Sequence, residues 1–110
     1  MTFSNKINAL SRKIVRNYDP EKIILFGSCA AGKVSFDSDI DLLIIKETDD
    51  PVDDRLEKVD KFISHRVAVD VLVFTPYEIK ERLKVKDFFI CDILKHGKEL
   101  YSRKRMVKKS

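Results

Sequence analysis

The chain has 110 residues, of which 44% are hydrophobic and 36% are charged, and it contains only three Gly and three Pro. This composition excludes a disordered or fibrous protein, and the length allows a single domain with one core. The apolar runs are too short to span a bilayer and the N-terminal segment lacks the pattern of a secretion signal, so we expect a cytoplasmic protein.

The net charge of +4 comes from the C-terminal end of the chain. Residues 102–110 carry five basic side chains and no acidic one, so removing these five charges from +4 leaves residues 1–101 with −1. We therefore predict a domain over residues 1–101 and a basic tail over residues 102–110. Such a tail can contact RNA or an acidic partner, but a solvated terminus is the commoner role, and nucleic acid is not expected as the main partner.

Hydrophobic periodicity predicts the first half of the chain as a helix followed by strands. Apolar residues from Phe3 to Val15 recur at helical spacing, which indicates an amphipathic helix ending near Pro20. Three short runs of Ile, Val and Leu are typical of strands buried on both faces. They cover Lys22 to Phe26, Ile40 to Ile45, and Val67 to Phe74.

Helices are predicted around these strands. Helical spacing from Val52 to Ile63 indicates a helix between the second and third strands. Thr75-Pro76 is a favourable helix start, and one or two further helices are expected before Gly97 ends them. The order of elements predicts an α/β fold in which helices cover a small sheet.

The segment LFGSCAAGKVSFDSDIDLLII, residues 25–45, contains patterns of three kinds of site. Gly27 to Lys33 matches the P-loop pattern GxxxxGK after a predicted strand. Val34 stands where a P-loop needs Ser or Thr for magnesium, and the following residues lack the periodicity of the required helix. A P-loop ATP-binding protein is therefore only a minor alternative.

A calcium loop is the second interpretation. Asp37, Asp39 and Asp41 fit the D-x-D-x-D part of such a loop. Leu42 and Thr48 stand where the loop requires Gly for a sharp turn and Glu for bidentate ligation. This interpretation is therefore rejected.

The third interpretation combines Gly27-Ser28 after one strand with Asp39-Ile40-Asp41 at the start of the next. Side chains two residues apart on a strand point to the same face with Cα atoms about 6.5 Å apart, so Asp39 and Asp41 converge while Ile40 faces the core. Paired carboxylates on a rigid strand suit Mg²⁺. The Gly27-Ser28 turn can offer backbone N–H groups and a hydroxyl to phosphates.

Asp70 is the candidate for a third carboxylate. It interrupts the most apolar predicted strand, where a buried ionised carboxylate is costly unless it is paired or ligates a metal. The alternative is a buried Asp that caps a loop or pairs with a distant Lys.

With Gly27-Ser28, Asp39-Ile40-Asp41 and Asp70, the chain resembles the nucleotidyltransferases of the DNA polymerase β superfamily. More narrowly, it resembles the minimal nucleotidyltransferases that act as antitoxins in HEPN/MNT pairs. The resemblance implies a small mixed sheet covered by helices, and transfer of a nucleoside monophosphate, AMP from ATP, to a hydroxyl such as a tyrosine of a HEPN toxin. It implies two Mg²⁺ ions held by Asp39, Asp41 and Asp70.

The resemblance further implies that Gly27 and Ser28 hold the terminal phosphates, and that a partner completes the site, in a hetero-oligomer or a homo-oligomer. The family often has Arg directly after the Gly-Ser and again two residues later, where this chain has Cys29 and Ala31. Lys33 or the partner can compensate for these charges, and the alternative for Lys33 is a solvated loop residue. Their loss also keeps open a non-catalytic antitoxin that acts by contact, and Phe88, Phe89 and Leu94 are expected in the core or on a contact surface.

Overall fold

The computed structural model describes residues 3–27, 30, 40–63 and 68–103. No helix in these ranges is long and apolar enough to cross a bilayer. The elements follow the order α1 (Phe3–Tyr18), β1 (Lys22–Phe26), β2 (Ile40–Ile45), α2 (Val52–Asp60), β3 (Val69–Phe74), α3 (Pro76–Lys84), α4 (Phe88–His96) and β4 (Lys98–Ser102).

The strands form one mixed sheet in the order β3-β2-β1-β4. β1 is antiparallel to both β2 and β4, whereas β2 is parallel to β3. The predicted α/β class and the mixed sheet implied by the resemblance are therefore confirmed. β4 was not predicted, because five residues with little burial give only a weak strand pattern.

Helices cover both faces of the two central strands. On one face, α1 and α2 pack on alternate strand residues through a cluster that includes Ile14, Ile23, Leu42 and Val59. On the other face, α3 and α4 pack on the intervening residues through Ile24, Leu43, Ile45, Ile79, Ile90 and Ile93. The alternation of side chains along β2 therefore assigns Asp41, like Leu43, to the face covered by α3 and α4.

The prediction that the third strand is buried on both faces is wrong. β3 begins at Val69, and Val73 is its only buried residue. β3 is exposed because it lies at an edge of the sheet, where among the described strands it pairs only with β2. The preceding helix is also shorter than predicted, since α2 ends at Asp60, although Phe62 still packs on the core.

Arg55 of α2 forms hydrogen bonds that connect α2 with α3 and β3. Its side chain is buried, and its guanidinium donates two hydrogen bonds, of 2.8 and 3.1 Å, to the Glu78 carboxylate of α3. It also donates to the carbonyl oxygens of Val73 in β3 and Asp50. Glu78 in turn completes a capping box with Thr75 at the start of α3. The hydrogen bonds from Arg55 lower the pKa of the Glu78 carboxyl from its ordinary value.

The C-terminal end of the described chain joins the sheet. Ser102 is the last residue of β4, and the Arg103 N–H donates to the carbonyl of Glu21 at 2.8 Å. The Arg103 guanidinium pairs with the Asp19 carboxylate at 2.7 Å. Residues 104–110 lie outside the described residues, so the division of the chain into residues 1–101 and 102–110 stays a prediction.

Candidate active site

Asp41 and Asp70 lie side by side on neighbouring strands. They are register partners in the parallel pairing of β2 with β3, where strands run about 4.8 Å apart. Both carboxylates lie on the α3 and α4 face, because Val69 and Val71 pack with the opposite core cluster. Asp41 is half-buried and Asp70 is exposed. The structure therefore brings together two of the three predicted carboxylates.

Gly27 lies directly against Asp41, one member of this acidic pair. It follows Phe26, the register partner of Asp41, and has a φ of +78°, in the left-handed region that favours glycine. A Cβ atom at this position would collide with the Asp41 carboxylate. The chain therefore needs Gly here for two reasons, its backbone conformation and the close approach of Asp41.

The prediction that Asp70 is buried is wrong, although the position of Asp70 beside Asp41 agrees with the predicted site. Asp70 was expected to be buried in an apolar strand, but it is exposed because β3 is an edge strand. The alternative of a buried Asp with a structural partner fails for the same reason. An exposed carboxylate has little desolvation cost, so burial provides no evidence that Asp70 is functional. The evidence for a functional role of Asp70 is its location beside Asp41.

Several predicted site residues lie outside the described residues. They are Ser28, Lys33 and Asp39, together with Cys29 and Ala31. Within residues 3–27, 30, 40–63 and 68–103, no group of three His, Cys, Asp or Glu side chains is placed to hold a metal ion. The predicted third ligand, Asp39, is not among those residues, so the metal set stays a prediction.

The P-loop alternative disagrees with the positions of the strands. β2 begins at Ile40, which leaves only residues 34–39 between Lys33 and the strand. The long helix that a P-loop places after its Lys cannot form from so few residues. β1 and β2 are also adjacent and antiparallel, so no parallel crossover follows the segment.

A pocket that the sequence did not predict opens beside Gly27. It has a volume of about 440 Å³, and its lining includes Phe26, Gly27, Phe89, Asp92 and His96. The rings of Phe26 and Phe89 meet edge to face, with centroids 5.8 Å apart. His96 Nδ1 lies 3.0 Å from Asp92 Oδ1. The spacing i, i+3, i+7 of residues 89, 92 and 96 is a sequence signal that places them on one face of a helix.

The expectation that Phe88, Phe89 and Leu94 serve core packing is wrong. Phe88 is 84% exposed and Phe89 is 53% exposed, and Leu94 is also exposed. The core side of α4 is instead formed by Ile90 and Ile93. The contact-surface interpretation therefore agrees with the observed exposure.

A model of the family described as "Polymerase beta, Nucleotidyltransferase" matches residues 8–106. The chain belongs to the polymerase beta nucleotidyltransferase family. This confirms the family suggested by the Gly-Ser and Asp-x-Asp patterns. A comparison with curated proteins found no match for this family member.

Two solved structures resemble this polymerase beta family member. A candidate nucleotidyltransferase from Sulfolobus solfataricus is 26% identical with a TM-score of 0.61, and the match covers 89% of this chain and 82% of that chain. A toxin-antitoxin crystal structure with AMP-PNP contains a chain that is 25% identical with a TM-score of 0.58. That match covers 94% of this chain and 76% of the other.

Proposed function

We propose that this protein transfers a nucleoside monophosphate, AMP from ATP, to a hydroxyl group on a partner protein. The observation that carries the proposal is the pairing of Asp41 with Asp70, with Gly27 packed against the Asp41 carboxylate. The two carboxylates are suitable ligands for a metal ion. Gly27, whose backbone is in the left-handed region at the end of β1, forms a turn whose backbone suits phosphate binding.

The residues of the site fit magnesium. Asp41 and Asp70 offer carboxylate oxygens, the ligands that this hard cation prefers, and neither thiol nor imidazole ligands are needed. Asp39, Asp41 and Asp70 would hold two Mg²⁺ ions. When bound, the ions would supply charge stabilisation at the attacking and leaving oxygens. Gly27 and Ser28 would hold the terminal phosphates, with Lys33 as an added positive charge.

The reaction follows from this arrangement. The acceptor hydroxyl oxygen forms a bond to the α-phosphorus of ATP, and the bond from this phosphorus to the bridging oxygen breaks. Pyrophosphate leaves with the bonding electron pair. The Asp70 carboxylate takes the hydroxyl proton, a role that suits its exposure, because a side chain of another protein can reach it.

The proposed partner is a HEPN-domain toxin, with a tyrosine as acceptor. Support comes from the similarity to a chain of the toxin-antitoxin structure over 94% of this protein. Three exposed apolar side chains suit contact with a protein: Tyr77 on α3, Val85 directly after α3, and Phe88 on α4. The protein then acts as an antitoxin by modifying its partner, in the cytoplasm.

A second candidate function is a non-catalytic antitoxin that neutralises its partner by contact. It is favoured by Cys29 and Ala31, which replace arginines that would otherwise neutralise a triphosphate. The exposed apolar residues of α3 and α4 serve this function equally well. The two candidates differ only in whether the acidic pair is needed.

Covalent labelling separates the two functions. The purified protein is mixed with ATP labelled on the α-phosphate, Mg²⁺ and the product of the neighbouring gene, and the partner is examined for label. We expect label with the unchanged protein, and at least a hundredfold less with Asp41→Asn or Asp70→Asn, because each removes a metal ligand.

The matched control is Asp60→Asn, an exposed Asp at the end of α2 on the opposite face of the sheet. This variant should label the partner as the unchanged protein does. Labelling that persists in Asp41→Asn and Asp70→Asn would overturn the catalytic proposal. Absence of label in every variant, with the toxin still neutralised, would establish the contact function instead.

A further inference from the structure

We propose that the pocket beside Gly27 binds the nucleobase of the substrate, which stacks on Phe89. This inference rests on the proposed function, because it assumes that a nucleoside triphosphate binds at Gly27 and the acidic pair. The pocket volume of about 440 Å³ lies within the range of roughly 300–1,000 Å³ that small-molecule sites occupy. Gly27 lines the pocket and also packs against the Asp41 carboxylate, so the pocket lies next to the acidic pair.

Phe89 supplies the stacking surface. Its ring contacts Phe26 edge to face, at an interplanar angle of 86°, which holds the side chain in place. About half of the residue nevertheless remains exposed. A ring that is fixed by one aromatic neighbour and still exposed is suited to stacking on a base, which is favourable for any base because each has a π face.

Asp92 supplies a hydrogen-bond acceptor. Its carboxylate lines the same pocket one helical turn from Phe89, and Oδ1 lies 3.0 Å from His96 Nδ1, which orients the group. A carboxylate only accepts hydrogen bonds, and its two oxygens accept several. Exocyclic amines, such as N6 of adenine and N2 of guanine, donate hydrogen bonds. The Asp92 carboxylate can therefore accept a hydrogen bond from a base that carries such an amine.

Calorimetry with Mg²⁺, in the absence of acceptor, tests this assignment. ATP, GTP and inorganic tripolyphosphate are titrated separately into the protein. We expect ATP and GTP each to bind about tenfold more tightly than tripolyphosphate. Phe89→Ala should weaken ATP binding about five- to tenfold and leave tripolyphosphate binding within twofold, because only the base contacts the ring.

Phe88→Ala is the matched control, because Phe88 is the adjacent aromatic residue of α4, is 84% exposed and does not line the pocket. It should bind ATP as the unchanged protein does. Phe89→Leu keeps an apolar side chain against Phe26 while removing the π face, so it should also weaken ATP binding if Phe89→Ala fails to fold.

Equal ATP affinities of Phe88→Ala and Phe89→Ala would overturn the proposal that the pocket binds the base. The same proposal would fail if the unchanged protein bound ATP no more tightly than tripolyphosphate. In both cases tripolyphosphate binding would leave the proposed function intact. Absence of binding by ATP and tripolyphosphate alike would overturn the proposed function and the base pocket together.

Discussion

Gly27 links backbone conformation to the placement of the acidic pair. Its φ of +78° costs a residue with a side chain about 1–2 kcal/mol, and any Cβ atom also meets the Asp41 carboxylate. Glycine at this position therefore lets the end of β1 approach the carboxylate as closely as the structure shows. The Gly-Ser pattern predicted a turn here, but the contact with Asp41 depends on the antiparallel register, which the sequence does not reveal.

A double-mutant cycle measures this contact. Gly27→Ala should lower the free energy of unfolding by about 2–3 kcal/mol in the unchanged protein, from backbone strain and displacement of Asp41 together. In the Asp41→Ala background, the same change should cost only about 1 kcal/mol, because the carboxylate is absent. Denaturant unfolding of the four proteins provides the values. Equal costs in both backgrounds would contradict the contact.

At the scale of elements, the bonds of Arg55 hold α2 and α3 against the edge strand. β3 has one paired side, and Arg55 binds the Val73 carbonyl while its two bonds to Glu78 anchor the start of α3. β3 carries Asp70, so this group of contacts also fixes one of the two acids of the site. The helices were predicted from periodicity, but the partners of Arg55 lie in β3 and α3, and periodicity within one helix does not reveal contacts between elements.

The contribution of Arg55 is expected to depend on pH. Arg55→Ala should lower the free energy of unfolding by about 2–3 kcal/mol at neutral pH, less than for a fully buried pair because Glu78 is partly exposed. The folded-state pKa of Glu78 is depressed, so its stabilisation is present above its ordinary pKa and is lost as the pH falls through the folded-state value.

The difference between the unchanged protein and Arg55→Ala should therefore narrow as the pH falls below about 4. Arg82→Ala is the control, because Arg82 pairs with Asp87 at the surface and about half of its side chain is exposed. It should cost less than about 1 kcal/mol. A difference for Arg55→Ala that stays constant down to pH 3, roughly, would contradict the role of the Glu78 pairing.

At the scale of the whole molecule, the sequence predicted the first three strands and the helices well because their periodicity is strong. The bounds of β1 and β2 agree with the apolar runs, and Asp41 and Asp70 adjoin as the family resemblance implied. The exposure of Asp70 was not predictable from its apolar neighbours, because strand order decides which strand lies at an edge. β4 and the pocket likewise depend on contacts between distant parts of the chain, such as Phe26 with Phe89.

The central claim is that Asp41 and Asp70 form the magnesium-dependent part of a triphosphate site beside Gly27. Calorimetric titration of ATP into the unchanged protein and into Asp41→Asn/Asp70→Asn, with Mg²⁺ and then with a chelator, tests it most directly. With Mg²⁺, the unchanged protein should bind ATP at least about tenfold more tightly than the variant. With the chelator the order should reverse, because two carboxylates repel the triphosphate. Identical ATP binding by both proteins under both conditions would contradict the account.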